Sequence, residues 1–381
     1  MMEETRKLAH IEVIEDIYPI EKADKIEVAK VLGWECVVKK DEFKKGQLVV
    51  YVEVDSIMPE KPEYEFLRER KYRVKTIKLR GQVSQGLVLP MSVLPDKSIK
   101  LIDGYANRGK DVTELLGITK YLTPSERNEV EEQERRIARD KNKLRKFMMR
   151  YSWFRKLFLS RTKKSGFPYW VSKTDEERIQ NMPNVLTQFA DTEVYATEKI
   201  DYQSVTFTGK MVPKFGGWLG RVLPIKEYKF VVCSRNMTNN DKKSLYWKIA
   251  EKYGIENILK QEPYLTIQGE QGDTKIQGNK YGITEPRLWV FNVINHETGY
   301  HYNYAEIVEF CFMYGLEPVP FLGSGSLSSF GTTVPEIVEY SKGKSVLADI
   351  PREGVVFRAV KNGQKLLSFK AINPEFLLKY D

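Results

Sequence analysis

Lys199 lies inside a strand-like stretch, VYATEKIDYQSVTFTG, where most neighbours are apolar or β-branched. An ammonium in such a setting is costly unless it is paired or has lost its proton. A lysine with a lowered pKa is a nucleophile. On its own, Glu198-Lys199-Ile200-Asp201 is a weak signal and reads by default as a structural lysine whose stem is buried and whose head reaches water. Five further groups of polar and aromatic residues follow downstream. They are Ser234-Arg235-Asn236, Gln268-Gly269-Glu270, Trp289-Val290-Phe291-Asn292, Arg352-Glu353-Gly354-Val355-Val356 and Ser368-Phe369-Lys370-Ala371. Each follows or ends a strand-like run.

The elements that must position these groups are legible as pattern. Residues 166–381 intersperse strand-like runs (KFVVCSRN, YLTIQGEQ, RLWVFNVIN, GVVFRAV, KLLSFKAI) with helical segments expected at 175–181, 241–259, 303–314 and 334–342. There is no regular strand–helix alternation, so an α+β domain on antiparallel sheets with flanking helices is expected. Residues 8–95 read differently. About five short runs rich in Val, Ile and Tyr are separated by turn signals at Lys45-Gly46, Met58-Pro59 and Arg80-Gly81. That pattern predicts a small β-barrel of the OB type, with an SH3-like barrel as the alternative. The stretch ADKIEVAKV looks like the opening strands of tRNA-binding OB modules.

Between the two lies a stretch of another kind. Residues 120–164 hold 15 basic and 6 acidic residues, which accounts for the whole net charge of +9. Ser125 with Asn128 and Glu129 suggests a helix start there. Leu144, Phe147, Tyr151, Phe154 and Phe158 recur at helical spacing, flanked by Arg150, Arg155 and Lys156. Such a helix either docks its aromatic face on a domain or lies on a polyanion. The expected domains are 1–115 (OB-type module), 116–165 (basic helical connector) and 166–381 (the unit holding Lys199).

The six groups, in this order across about 170 residues, resemble the covalent nucleotidyltransferase superfamily of ligases and capping enzymes. Lys199-Ile200-Asp201 matches its first motif, Ser234-Arg235-Asn236 and Gly269-Glu270 the next two. Phe291, Glu353-Gly354 and Lys370 fall at the remaining ones. The segment Phe167 to Asn181 resembles one found ahead of the nucleophile in ATP-dependent RNA ligases that carry an N-terminal OB module. Read without the resemblance, Thr174 or Asp175 caps a helix. The chain runs 11 residues past Lys370, too few for the C-terminal OB domain of DNA ligases and capping enzymes, which favours the RNA-ligase group.

The resemblance implies an enzyme that joins RNA 3′-OH and 5′-phosphate ends, with ATP and Mg²⁺ or Mn²⁺ as cofactors. Lys199 would be the nucleophile that carries AMP. Lys370 would steady the α-phosphate and, with a bound metal, depress the lysine's pKa. Glu353 would face the metal, with Glu270 beside it. Glu270 would also hold the ribose, and Phe291 would stack on adenine. Asp201 belongs to the nucleotide site. The backbone around Glu198 would read the adenine edge, and Arg235 would grip phosphate or the 3′-OH strand.

Two departures stand out. Tyr202 occupies the place where the family usually has Gly, which implies a shifted loop or an altered substrate fit. Ala371 and Ile372 follow Lys370 where some relatives carry a second lysine. The competing expectations are a DNA ligase, a GTP-using capping-type enzyme, or an inactive RNA-binding relative.

Composition bounds the remainder. With 41% hydrophobic and 30% charged residues the chain can bury real cores. Cys36, Cys233 and Cys311 are widely spaced and odd in number, so neither a disulfide framework nor a metal knuckle is expected, and a reducing, cytoplasmic setting is. The start MMEETRKLAHIEVIE has no apolar leader core, and no run of about 18 apolar residues exists, so no membrane association is expected. A monomer is expected. The segment 210–229 mixes basic and aromatic residues around glycines and reads as an RNA flap or an ordinary hairpin. His10, His296 and His301 read as structural or surface residues.

Overall fold

A computed structural model describes residues 7–95, 107–123, 127, 131, 166–214 and 225–380. The expected basic helix, its starting residues Ser125, Asn128 and Glu129, and the middle of the 210–229 segment lie outside the described residues. The chain divides into two compact units, Met1–Lys164 and Ser165–Tyr380.

The first unit is built on five antiparallel strands: β1 (Ala9–Pro19), β2 (Ile26–Val31), β3 (Trp34–Lys39), β4 (Leu48–Val52) and β5 (Leu87–Pro90), in the order β3-β2-β1-β4-β5. One half of β1 pairs with β4 and the other with β2, and the register shifts between Ile14 and Asp16. That irregularity lets one strand bend around two core faces. Successive residues of β4 serve both faces, as the period of two dictates. Val50 and Val52 pack with Ile11, Met58 and Leu67, while Val49 and Tyr51 pack with Ile14, Val31 and Trp34. The backbone N–H of Gln85 donates to Glu35 and that of Val37 to the Ser84 hydroxyl, both at 2.9 Å, tying the approach to β5 back to β3. This is the OB-type barrel the pattern predicts. His10 is buried here between Glu12 and Glu53, a structural role.

The second unit holds two sheets. The first has the order β11-β6-β12-β13, with β6 Glu193–Lys199, β11 Phe321–Ser326, β12 Gly354–Lys361 and β13 Gln364–Ile372. The other runs β8-β7-β9-β10, with β7 Gln203–Pro213, β8 Lys226–Ser234, β9 Leu265–Gly272 and β10 Arg287–Asn295, extended by the short strands Tyr300–His301 and Glu317–Pro318. All pairings among the labelled strands are antiparallel.

Helices α1 (Leu245–Lys252), α2 (Ile255–Gln261) and α3 (Tyr304–Tyr314) cover the second sheet through Ile249, Leu259, Ile307 and Phe310. Helix α4 (Val334–Ser341) covers the first through Val334 and Ile337. Both α3 and α4 begin with reciprocal capping boxes, Asn303 with Glu306 and Thr333 with Glu336, which satisfy the first free amides. A last helix, α5 (Pro374–Tyr380), was not anticipated.

The helix expected at 175–181 is corrected. Residues 175–178 run extended beside β13, where Arg178 bridges Lys370 and the Lys370 N–H donates to the Glu177 carbonyl at 2.8 Å. Only Ile179–Asn181 turn, as a 3₁₀ piece. Of the acids that resemble a first helical turn, Asp175 and Glu176 are instead committed to distant cations, as described below, while the Glu177 carboxylate accepts from the Arg178 N–H and the Asn181 amide.

Candidate active site

Consecutive strands β6 and β7 belong to different sheets, so the link Ile200–Tyr202 crosses from one sheet to the other. This is why Lys199 and Asp201 sit at the seam. Lys199 ends β6 opposite Gly354, and Glu353 immediately precedes β12. The register therefore delivers Glu353 to Lys199. The Lys199 ammonium donates to both Glu353 carboxylate oxygens, at 2.7 and 2.6 Å. From the other sheet, Glu270 on β9 faces the same ammonium, and its carboxylate accepts from the Ser204 hydroxyl at 3.0 Å.

The electrostatics differ from the simple expectation. Burial alone pulls the Lys199 ammonium down, but the charges of Glu353 and Glu270 outweigh it and hold its pKa above the usual lysine value. The lowered pKa expected for a nucleophile is thus not what the protein's own groups produce, because three carboxylates surround the amine. Burial pushes the Glu270 carboxyl up to about 7, against the pull of Lys199 and Arg235. Burial, and then the charge of Glu353, also raises Asp201. The crowding of carboxylates makes a site short of positive charge.

Asp201 is held from below. It forms an ion pair with Lys280, and its backbone N–H donates to the Tyr281 hydroxyl at 2.9 Å. Lys280 in turn lies 5.0 Å from the Phe376 ring centre and 5.1 Å from that of Tyr380, which seats α5 against this loop. Neither Lys280 nor α5 was singled out in the sequence, and no motif marks them.

Tyr202 resolves the first departure. Its ring is 3% exposed, stacked on Trp289 at 5.8 Å and tilted against Tyr281 at 5.1 Å, with its hydroxyl donating to Asn279. A Cβ at Gly272 would lie 2.6 Å from this ring, so the glycine there makes the room. The Tyr202 backbone is not in the left-handed region. The side chain packs in an apolar cluster with Ile200, Tyr281, Ile283 and Trp289.

Phe291 owes its position to a bulge. Gln268 pairs with Asn292 but Gly269 pairs with Val290, so Phe291 is the extra residue on β10. A Cβ at Gly269 would lie 2.7 Å from the Trp289 carbonyl, which fixes glycine beneath the bulge. The Phe291 carbonyl accepts from Arg358, whose guanidinium lies 5.3 Å from the Phe291 ring centre. Arg358 is buried and paired with Glu176 at 2.9 Å. Burial works against the Glu176 charge, but Arg358 holds its carboxyl below the usual range. A buried arginine in the otherwise apolar run GVVFRAV is the signal that could have flagged this pair.

The other expected residues are placed as follows. Lys370 reaches Asp175 at 2.9 Å, on the same extended segment as Glu176. Arg235 directly follows β8, half-buried, within charge reach of Glu270. Glu198 is 2% exposed; its carboxylate accepts from the Val346 N–H at 2.8 Å, and burial raises its pKa. Its backbone N–H is spent on the Pro320 carbonyl.

Among the described residues, no three His, Cys, Asp or Glu side chains converge as a preformed metal cage. A Mg²⁺-type ion that keeps its waters and shares substrate phosphates needs only one or two carboxylates. The donor set at Glu353 and Glu270 fits that kind of ion.

Comparison with known proteins agrees with this geometry. A family profile described as an OB-fold domain matches residues 8–91, and one described as RNA ligase matches residues 192–372. Among curated proteins nothing matches. A solved structure of Naegleria gruberi RNA ligase with PPi is 28% identical, covers 99% of each chain and superposes with a TM-score of 0.76. A lysine-to-methionine variant of that ligase with AMP and Mn is also 28% identical, covering 98% of this chain and 99% of that one, with a TM-score of 0.75. A lysine-to-alanine variant with ATP and Mn matches to the same extent. The similarity runs through both units, and the chain belongs to the RNA ligase family, with an OB-fold domain ahead of its ligase domain.

Proposed function

We propose that this RNA ligase is ATP-dependent and works through AMP linked to Lys199. The observation that carries the reading is the placement of Lys199 between Glu353, at 2.6 Å, and Glu270 at the seam of two sheets. The lysine amine attacks the α-phosphorus of ATP, and the bond to pyrophosphate breaks. The proton that the surrounding carboxylates hold on Lys199 must leave first. Glu353 and Glu270 would hold a divalent cation, Mg²⁺ or Mn²⁺, which supplies positive charge against the phosphates and offsets the carboxylate field on Lys199.

The protein's own residues do the positioning. Glu270, whose carboxyl burial pushes up to about 7, sits ready to bond a ribose hydroxyl. Phe291 offers a flat face to adenine. Lys370 exchanges Asp175 for phosphate oxygens, and Arg235 grips the substrate's phosphate or 3′-OH strand. In the later steps a 5′-phosphate oxygen takes the AMP and frees Lys199. The 3′-OH then attacks that 5′-phosphate, and AMP leaves. Each step is phosphoryl-type transfer, so catalysis rests on placement and charge.

Residues 1–115 would hold the RNA, 116–165 would act as a basic connector, and 166–381 would carry the AMP chemistry. The enzyme would act as a monomer on RNA with 3′-OH and 5′-phosphate ends. Three buried, unpaired cysteines are in keeping with the cytoplasm. Among the described residues no helix is long and apolar enough to cross a membrane. A sealing assay on RNA ends tests the end chemistry. Joining is expected with a 5′-phosphate and lost with a 5′-OH; equal joining of both would refute it.

A further inference from the structure

Beyond the nucleotide site, one face of the second sheet continues outward as a row of polar side chains, buried at Thr206, Thr208, Thr266 and Gln268 and open to solvent at its outer end. From Ser204, which bonds Glu270, the same face of β7 carries Thr206, Thr208 and then Lys210. Neighbouring strands complete it. Thr208 bonds Thr266 at 2.8 Å, and Gln268 donates to the Ser172 carbonyl at 2.9 Å. At its outer end lie two aromatic residues. Trp170 is fixed by its indole N–H donating to Thr208 at 3.2 Å. Tyr169 stands edge-on to it at 5.1 Å and is 85% exposed. The Lys210 ammonium donates to the Tyr169 hydroxyl at 3.3 Å and lies 5.4 Å from both ring centres.

The charge here is arranged against itself. Lys210 is directly opposite Lys229 across the β7–β8 ladder. Like charges opposed in this way destabilise a sheet. The described outer ends of the two strands, 210–214 and 225–229, hold four lysines and one glutamate. A solvent-facing tyrosine beside a fixed tryptophan and a repelling lysine pair is a poor surface for water alone. It suits a π-face with a phosphate next to it.

We propose that Tyr169, Trp170, Lys210 and Lys229 form a stacking platform for an unpaired base of the RNA and its adjoining phosphate, about 20 Å along β7 from Ser204. The proposal rests on the RNA-ligase reading and extends it to a substrate subsite. None of the four residues belongs to the nucleotide site.

The test is a Tyr169→Ala/Lys210→Ala double variant of the full chain. AMP labelling from ATP is expected to be unchanged. Sealing of a pre-adenylylated RNA strand is expected to need about tenfold more RNA for half-maximal rate. Tyr169→Phe, which keeps the ring, should seal like the natural protein. An abasic nucleotide scanned along the RNA should find one position that matters to the natural protein and not to Tyr169→Ala. Sealing by the double variant at the natural RNA concentration would overturn the platform. A natural protein that takes AMP yet seals no RNA would instead overturn the reading beneath it.

Discussion

Lys199 donates to both carboxylate oxygens of Glu353, 154 residues away in sequence, at 2.7 and 2.6 Å. The pairing follows from strand register, because Lys199 lies opposite Gly354. It also means the proposed nucleophile is held charged by the same group proposed to face the metal. The two roles are linked: whatever neutralises Glu353 weakens the hold on the amine.

That linkage has a pH signature. Burial lowers the Lys199 pKa, but Glu353 and Glu270 raise it above the usual value, so the amine is protonated across neutral pH. Reactivity of Lys199 toward an amine-selective reagent is expected to rise only at alkaline pH in the metal-free protein. Glu353→Gln, or added Mn²⁺, is expected to move the rise to lower pH. Profiles that coincide in all three cases would show that Glu353 does not control the amine.

The Arg358–Glu176 pair is buried, so breaking one side strands a charge. Arg358→Met is expected to cost about 3–5 kcal/mol in denaturant unfolding. Adding Glu176→Gln should recover part of it, because the stranded carboxylate is removed. A harmless single variant would mean that Arg358 does not anchor the segment or Phe291.

Tyr202→Gly restores the usual motif residue but removes a ring packed between Trp289 and Tyr281. A loss of about 3–5 kcal/mol is expected from the cavity, with no gain in AMP transfer. Gly272→Ala should also destabilise, since its Cβ would lie 2.6 Å from the same ring. Thermal unfolding and AMP labelling of both variants check this. Faster labelling in Tyr202→Gly would show that the tyrosine obstructs the site.

In the OB unit, burial lowers the His10 pKa, but bonds and charges from Glu12 and Glu53 raise it to about 9. A pKa raised from about 6.5 stabilises the folded form fully below that value, and the stabilisation fades as pH rises through 9. His10→Gln is expected to be less stable below pH 6.5 and to flatten this dependence, by on the order of 2 kcal/mol. Unfolding followed from pH 6 to 10 measures it. Equal slopes for both proteins would remove His10 as the titrating group.

Some of this was legible in the sequence and some was not. Strand periodicity and turn residues placed the OB-type barrel, and the helical segments expected at 303–314 and 334–342 correspond to α3 and α4, whose capping boxes were not read. The ends of β6, β9 and β12 were readable because chemistry-bearing residues interrupt apolar runs there. Periodicity says which face a residue occupies but not which distant residue meets it. Lys370 with Asp175 and Arg358 with Glu176 are joined across 195 and 182 residues, and neither pairing has a local signal. The same blindness turned Asp175-Glu176-Glu177 into an expected helix start. Tyr202 looked like a functional anomaly because its compensating partner, Gly272, is 70 residues away.

The most direct measurement is incubation of the purified protein with α-labelled ATP and Mn²⁺ or Mg²⁺, read on a denaturing gel beside Lys199→Ala. A covalent band in the natural protein, absent from the variant and formed with ATP but not GTP, is the expected result. Label retained by Lys199→Ala, or a natural protein that takes none under either metal, would contradict Lys199 as the residue that carries AMP.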